Sequence, residues 1–212
     1  MSFRGKIKRY AEVPVTHQIV AEALVEYSRP NDKISELLNS GELQSVRRGL
    51  YIPGPEADLP IPNPFLIANH LRGPSYISLE SALAYHGMIP ERVYEISSVT
   101  LKTSKTYTTQ VGRFSYRHLA APYYSFGIKS IMLESQQRAL VATPEKAICD
   151  KIVLTSGVLF RSIREVQVFL LEDMRMDEEM LSKLDVSLIR SWIEDAPKKN
   201  SLTMLVKMLE LL

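Results

Sequence analysis

Two adjacent arginines, Arg47 and Arg48, precede Gly49 in the stretch SGELQSVRRGLYIPG, residues 40–54. Glycine accepts the positive φ of a tight reversal, so the flanking apolar stretches predict a hairpin with a positively charged tip. Such a tip is either a solvated turn or a grip on phosphate. The other residues capable of chemistry are dispersed. His17, His70, His86 and His118 have neither H-x-x-H nor cysteine spacing, and Cys149 is alone, so no local metal site is expected. Glu172-Asp173 and Glu178-Glu179 are neighbours on predicted helices, where adjacent side chains diverge, whereas acid-base work needs two carboxyls facing one atom. TPEKAICD offers Glu145, Lys146 and Asp150, a faint likeness to the acid-and-lysine grouping of magnesium-binding nucleases. Capping alone also asks for a proline and an acid at a helix start. The chain lacks G-x-x-x-x-G-K-[ST], G-x-G-x-x-G and G-x-S-x-G, so the expectation is a protein without catalytic activity and without a cofactor.

The elements around the arginine pair come in a telling order. Thr16 can cap a helix through HQIVAEALVEY, in which Ile19, Val20, Ala23, Leu24 and Tyr27 recur at helical spacing. SRPN interrupts it. Asp32 stands at the next N-cap, Ile34, Leu37 and Leu38 form one face of KISELLNS, and Gly41 supplies the stop. Helix, turn, short helix and two-stranded hairpin is the layout of a winged helix-turn-helix, whose second helix enters the DNA major groove. On that layout Lys33, Ser35, Asn39 and Ser40 face the groove, and Lys6, Lys8, Arg9, Arg47 and Arg48 are available to phosphates. Glu36 also faces outward, where phosphate would repel it.

Five prolines in PGPEADLPIPNP read as a stiff connection, giving an N-terminal unit at 1–55, a linker at 56–63 and a second domain at 64–212. The second domain opens with helices in PFLIANHLRG and SLESALAYHG, the latter with Ser78 as cap. Strands are predicted in VYEISSVTLKT, GRFSYRHL, KSIML and ALVA. Thr143-Pro144-Glu145 starts a further helix, and Ser162–Leu212 is read as helical throughout. The fold class expected is α/β, of the α+β kind: a winged helix, then a small sheet and a helical C-terminal array. In GRFSYRHL, alternation puts Phe114, Tyr116 and His118 on a core face. Arg113 and Arg117 lie on the other, as an auxiliary contact with DNA or RNA.

Composition fits a globular protein: 45% of the 212 residues are hydrophobic and 24% charged, and no apolar run approaches the ~20 residues of a membrane span. The basic start, MSFRGKIKRYAEVP, is not followed by an apolar signal segment, and a lone cysteine forms no internal disulfide; a cytoplasmic home is expected. Net charge is only +2, but basic residues outnumber acidic ones 15 to 11 through residue 130, against 11 to 13 after it. The basic surface is therefore expected in the first two thirds.

LLNSGELQSVRRGLYIPG, SYISLESALAYHGMIPERVYEISSVTLKT and ALVATPEKAICDKIV, in that order, resemble the AbiEi-type antitoxins of bacterial abortive-infection, or type IV toxin-antitoxin, systems. The resemblance covers nearly the whole chain. It implies an N-terminal domain that binds duplex DNA at repeated sites in its own operator, and a C-terminal domain that counteracts a nucleotidyltransferase-like toxin, with or without direct contact. It places the family's basic wing positions on Arg47 and Arg48, and its reading helix on the polar face from Asp32 to Ser40. A metal-dependent nuclease and a partner scaffold without DNA affinity are the alternatives. Oligomeric state is left open.

Overall fold

Two helices and a hairpin close over a small apolar cluster at the start of the chain. The computed structural model describes Gly5, 8–10, 12–134 and 137–212. Here β1 (Val15–Thr16), α1 (His17–Ala23), α2 (Pro30–Asn39), β2 (Leu43–Arg47) and β3 (Leu50–Pro53) follow one another. The strands form an antiparallel sheet in the order β1-β3-β2. Val20 and Leu24 from the first helical stretch meet Ile34 and Leu37 of α2, with Val15, Leu43 and Tyr51 beneath them. Helix α1 stops at Ala23, short of the expected Tyr27. Helix α2 starts two residues before Asp32, because Pro30 occupies its first position and leaves Asp32 in the first turn, where its charge favours the helix dipole. Gly41, at φ +77°, ends it as the sequence predicts. Arg47 pairs with Leu50, so Arg48-Gly49 is a two-residue turn, with Gly49 at φ +79°.

Strand β3 is apolar without interruption and buried on both faces, as such runs are. Tyr51 belongs to the N-terminal cluster, while Leu50 and Ile52, joined by Val46, enter the main core of the molecule. The Pro-rich stretch that follows does not stand off as a strut. Gly54 passes so close to Gly41 that a Cβ there would lie 2.1 Å from the Gly41 carbonyl oxygen, Pro55–Ala57 form a 3₁₀ turn, and Ala57 is buried. The stretch read as a linker is held to the hairpin, the Glu56 amide donating to the Gly41 carbonyl at 3.0 Å.

The larger part is a mixed α/β arrangement. Its six-stranded sheet has the order β6-β7-β5-β4-β9-β8, from β4 (Ser75–Ile77), β5 (Glu95–Thr100), β6 (Lys105–Thr109), β7 (Gly112–His118), β8 (Ile128–Met132) and β9 (Arg138–Ala142). β5 runs parallel to β7 and β4 to β9; the remaining pairs are antiparallel. Helix α3 (Pro64–Leu71) covers one face, where the Tyr116 hydroxyl donates to the Ala68 carbonyl at 2.7 Å. Helices α4 (Leu79–Tyr85) and α5 (Pro144–Leu154) lie on the other, reached by Tyr76. Thr143 caps α5 through the Lys146 amide, as the sequence predicts. Ser78 precedes α4 but turns its hydroxyl to Asp150 instead of the helix. The C-terminal third is divided among α6 (Ile163–Gln167), a π-helical stretch to Asp173, α7 (Glu178–Ser182), α8 (Val186–Trp192) and α9 (Lys199–Leu209). Among the described residues no helix is long and apolar enough to cross a membrane.

Candidate nucleic-acid interface

The outward face of α2 presents side chains with different degrees of freedom. Ser35 and Ser40 are exposed, but their hydroxyls donate back to the Asn31 and Leu37 carbonyls at 3.1 and 3.2 Å. Lys33 is largely covered: its Nζ lies 2.5 Å from Glu36 Oε1 and 5.5 Å from the Tyr27 ring centroid. The Glu36 hydrogen bond raises the ammonium above its ordinary range. Glu36 is thus neutralised within its own helix rather than facing phosphate uncompensated, and Lys33 is correspondingly less available. Asn39 is exposed, and its amide makes no hydrogen bond among the described residues. Its chemistry suits a base edge, since an amide both donates and accepts.

At the hairpin the two arginines separate. Arg48 occupies the turn, exposed and without a side-chain partner among the described residues. Arg47 is exposed too, yet its Nε donates to the Leu71 carbonyl at 3.1 Å and one terminal nitrogen donates to the Arg48 carbonyl at 3.3 Å. Leu71 is the last residue of α3, whose final carbonyls lack helical donors, so Arg47 satisfies a helix end while fixing the hairpin to it. Lys8 is exposed on a 3₁₀ turn. Lys6 and the Arg9 side chain lie outside the described residues.

Arg113 and Arg117 do not join this surface. Register places them beside Glu95 and Val99, on the α4/α5 face of the sheet, whereas the hairpin meets the molecule through α3. The core-face partners Phe114 and Tyr116 are buried as expected, while His118, at the strand end, is exposed.

Lys146 and Asp150 come together but are sealed from solvent. Nζ lies 2.9 Å from Asp150 Oδ1, donates to the Tyr123 carbonyl at 2.9 Å, and sits 3.4 Å from the Tyr123 ring centroid. Tyr76 and Ser78 both donate to Oδ2 at 2.8 Å. Burial pushes the carboxyl up and the ammonium down; the ion pair opposes both shifts, and the two hydroxyl donors oppose the carboxyl's. Glu145 points elsewhere, its carboxylate accepting from the Asp185 amide at 3.2 Å. The three residues considered for magnesium therefore share no open site, and among the described residues no group of three acids, histidines or cysteines could hold a metal.

No family model and no curated protein matches the chain. A solved structure, the RV2827C protein from Mycobacterium tuberculosis, is similar in fold: TM-score 0.65 at 13% identity, covering 97% of this chain and 75% of that one. The likeness extends the mixed α/β architecture to a second protein.

Proposed function

We propose that this chain is a cytoplasmic DNA-binding antitoxin and autorepressor of an abortive-infection operon, acting by binding and not by catalysis. Its N-terminal unit works as a winged helix-turn-helix on duplex operator DNA, and the remainder counteracts a nucleotidyltransferase-like toxin. The observation that carries the DNA half is the pairing of two unengaged side chains of complementary use: Asn39 on the second helix and Arg48 at the hairpin tip. One can read a base edge and the other can neutralise phosphate. The antitoxin half rests on the resemblance of the sequence to AbiEi-type proteins. Duplex binding by the full chain is expected to weaken as salt rises, because phosphate neutralisation releases counterions.

The test is a salt-dependent titration of the chain's own promoter beside a random duplex. Arg48→Ala should weaken both by similar factors and lower the salt slope by about one. Asn39→Ala should act mainly on the promoter, at about 1–3 kcal/mol. A folded chain that binds neither duplex at low salt ends this reading. A specificity loss from Arg48→Ala alone would place the wing in a groove instead of on the backbone.

A further inference from the structure

On the α4/α5 face of the sheet, the helices cover β4 and β9 but leave β7 and β6 open, and a cleft of about 690 Å³ forms there. Its floor is formed in register by Thr106 and Ser115, with Ser97 beside them on β5, its hydroxyl taken up by the Ser78 carbonyl at 2.8 Å. Arg113 and Arg117 flank that row on the same face of β7. Lys151 stands at the rim, and the acids present are Glu80 and Glu95; the Lys105 side chain lies on the opposite face, over the Tyr107 ring. Each acid already holds one cation: Glu95 lies 2.5 Å from Arg113 Nε, and Glu80 pairs with Lys151. Arg117 has no acidic partner among the described residues, only a 3.3 Å donation to the Leu154 carbonyl. Three cations, Arg113, Arg117 and Lys151, against two carboxylates leave the cleft positive, with the Arg117 guanidinium open to an anion.

A second cleft of about 600 Å³ adjoins the first through the shared residues Glu80, Glu95 and Ser97. It is of different character, lined by Ile89, Val93, Met174 and Tyr94 together with Arg92, Asp173 and Glu91, the last paired with Arg175. Tyr94 is 81% exposed, with the Arg92 guanidinium 5.3 Å from its ring centroid. With Arg92 over one face, the other face of this exposed ring, beside apolar walls, can stack a base. The two clefts together make one groove: a basic, hydroxyl-lined half, two carboxylates at the divide, and a half whose apolar walls are mixed with Arg92, Glu91 and Asp173.

We propose that this groove binds one nucleotide, its phosphate at Arg117 and the hydroxyl floor, its sugar hydroxyls at Glu80 and Glu95, and its base against Tyr94. Each chemical part of the ligand meets the matching part of the groove. Phosphate takes charge-assisted hydrogen bonds from guanidinium, carboxylates accept from sugar hydroxyls, and a base has a π-face to stack. Each half is of a size that holds a small ligand. The occupant is either a free mononucleotide or one nucleotide of a single strand, and the proposal does not rest on operator binding by the N-terminal unit.

The experiment is calorimetric titration of the full chain with 5′-mononucleotides, ribose 5-phosphate, inorganic phosphate and a short single-stranded RNA. Saturable mononucleotide binding, tighter than that of ribose 5-phosphate, is the expected result. Arg117→Gln should weaken it by about tenfold. Tyr94→Ala should lower the mononucleotide affinity to that of ribose 5-phosphate and leave the latter unchanged. Saturation by the RNA alone, with the same variant effects, assigns the groove to a nucleotide within a strand and sustains the proposal. Absence of binding by every probe up to about 1 mM, or equal binding of inorganic phosphate and mononucleotide, overturns it. So does a mononucleotide affinity indifferent to both Arg117→Gln and Tyr94→Ala.

Discussion

Lys146 and Asp150 stand one helical turn apart, fully buried, and the ion pair they form is tied to three elements at once through Tyr76, Ser78 and the Tyr123 carbonyl. A buried pair recovers its desolvation cost only where the remaining hydrogen-bonding capacity is met, and here most of it is. Removing one partner leaves the other charged in an apolar surrounding. Lys146→Met is therefore expected to destabilise the chain by about 3–5 kcal/mol, and Lys146→Met with Asp150→Leu by less than the sum of the single changes. Urea denaturation of the three variants reads this directly. A loss below 1 kcal/mol for the single change, as an order-of-magnitude bound, would mean that water reaches the pair. Glu91 gives a contrasting case near the surface, where the Arg175 guanidinium holds its carboxyl below the usual range. A carboxyl lowered on folding adds stability above its unfolded value and loses it as pH falls through the folded one. Stability should therefore fall more steeply between about pH 6 and about pH 3 in the native chain than in Glu91→Gln.

Helix α5 shows how a single side chain completes an element. Lys198 Nζ donates to the Ile152, Thr155 and Val158 carbonyls at 3.0, 2.7 and 2.8 Å, gathering the end of α5 and the loop beyond it. Lys198→Ala should cost on the order of 1–3 kcal/mol, read by thermal melting, while Lys198→Arg recovers part of it. The start of the same helix was legible in Thr143-Pro144-Glu145, because capping is a matter of a few neighbouring residues. So were the Arg48-Gly49 turn and the burial of Phe114 and Tyr116 opposite two arginines. Strands β4 and β6 were not: three residues carry no periodicity, and KTYTT is an edge strand whose identity comes from its pairing with β7. The groove on the α4/α5 face escaped for the same reason. Arg113 and Arg117 were visible as an exposed pair, but Tyr94, Thr106 and Lys151 come from other elements and meet them only after the sheet is assembled.

At the scale of the whole molecule the hairpin is a shared part, and this changes what its arginines can be expected to do. The Leu50-Tyr51-Ile52 strand is buried on both faces, one against the N-terminal cluster and the other against the main core. A fragment ending near Pro60 would expose Val46, Leu50 and Ile52, and by area its stability would fall by several times the ~1.5–3 kcal/mol of one aliphatic side chain. Such a fragment is expected to be poorly folded and to aggregate, judged by circular dichroism and light scattering. Replacing those three residues by threonine should improve its solubility. The same sharing divides the arginine pair. Arg48 has no side-chain partner among the described residues, so under the proposed antitoxin function Arg48→Ala should relieve repression of the operon and leave protection against the toxin intact at equal expression. Arg47 binds the end of α3, so Arg47→Ala should loosen the hairpin against the larger part, lowering the melting temperature as well as DNA affinity. Arg47→Lys cannot reproduce the guanidinium geometry and should behave more like alanine in melting than in DNA binding. A promoter reporter, a growth assay with the cognate toxin and a melting curve, run on the three variants together, separate these outcomes. If Arg47→Ala melts like the native chain while losing DNA affinity as Arg48→Ala does, the Leu71 contact is dispensable and both arginines serve phosphate. If Arg48→Ala abolishes protection in a chain of native stability, the hairpin tip belongs to the toxin-facing surface.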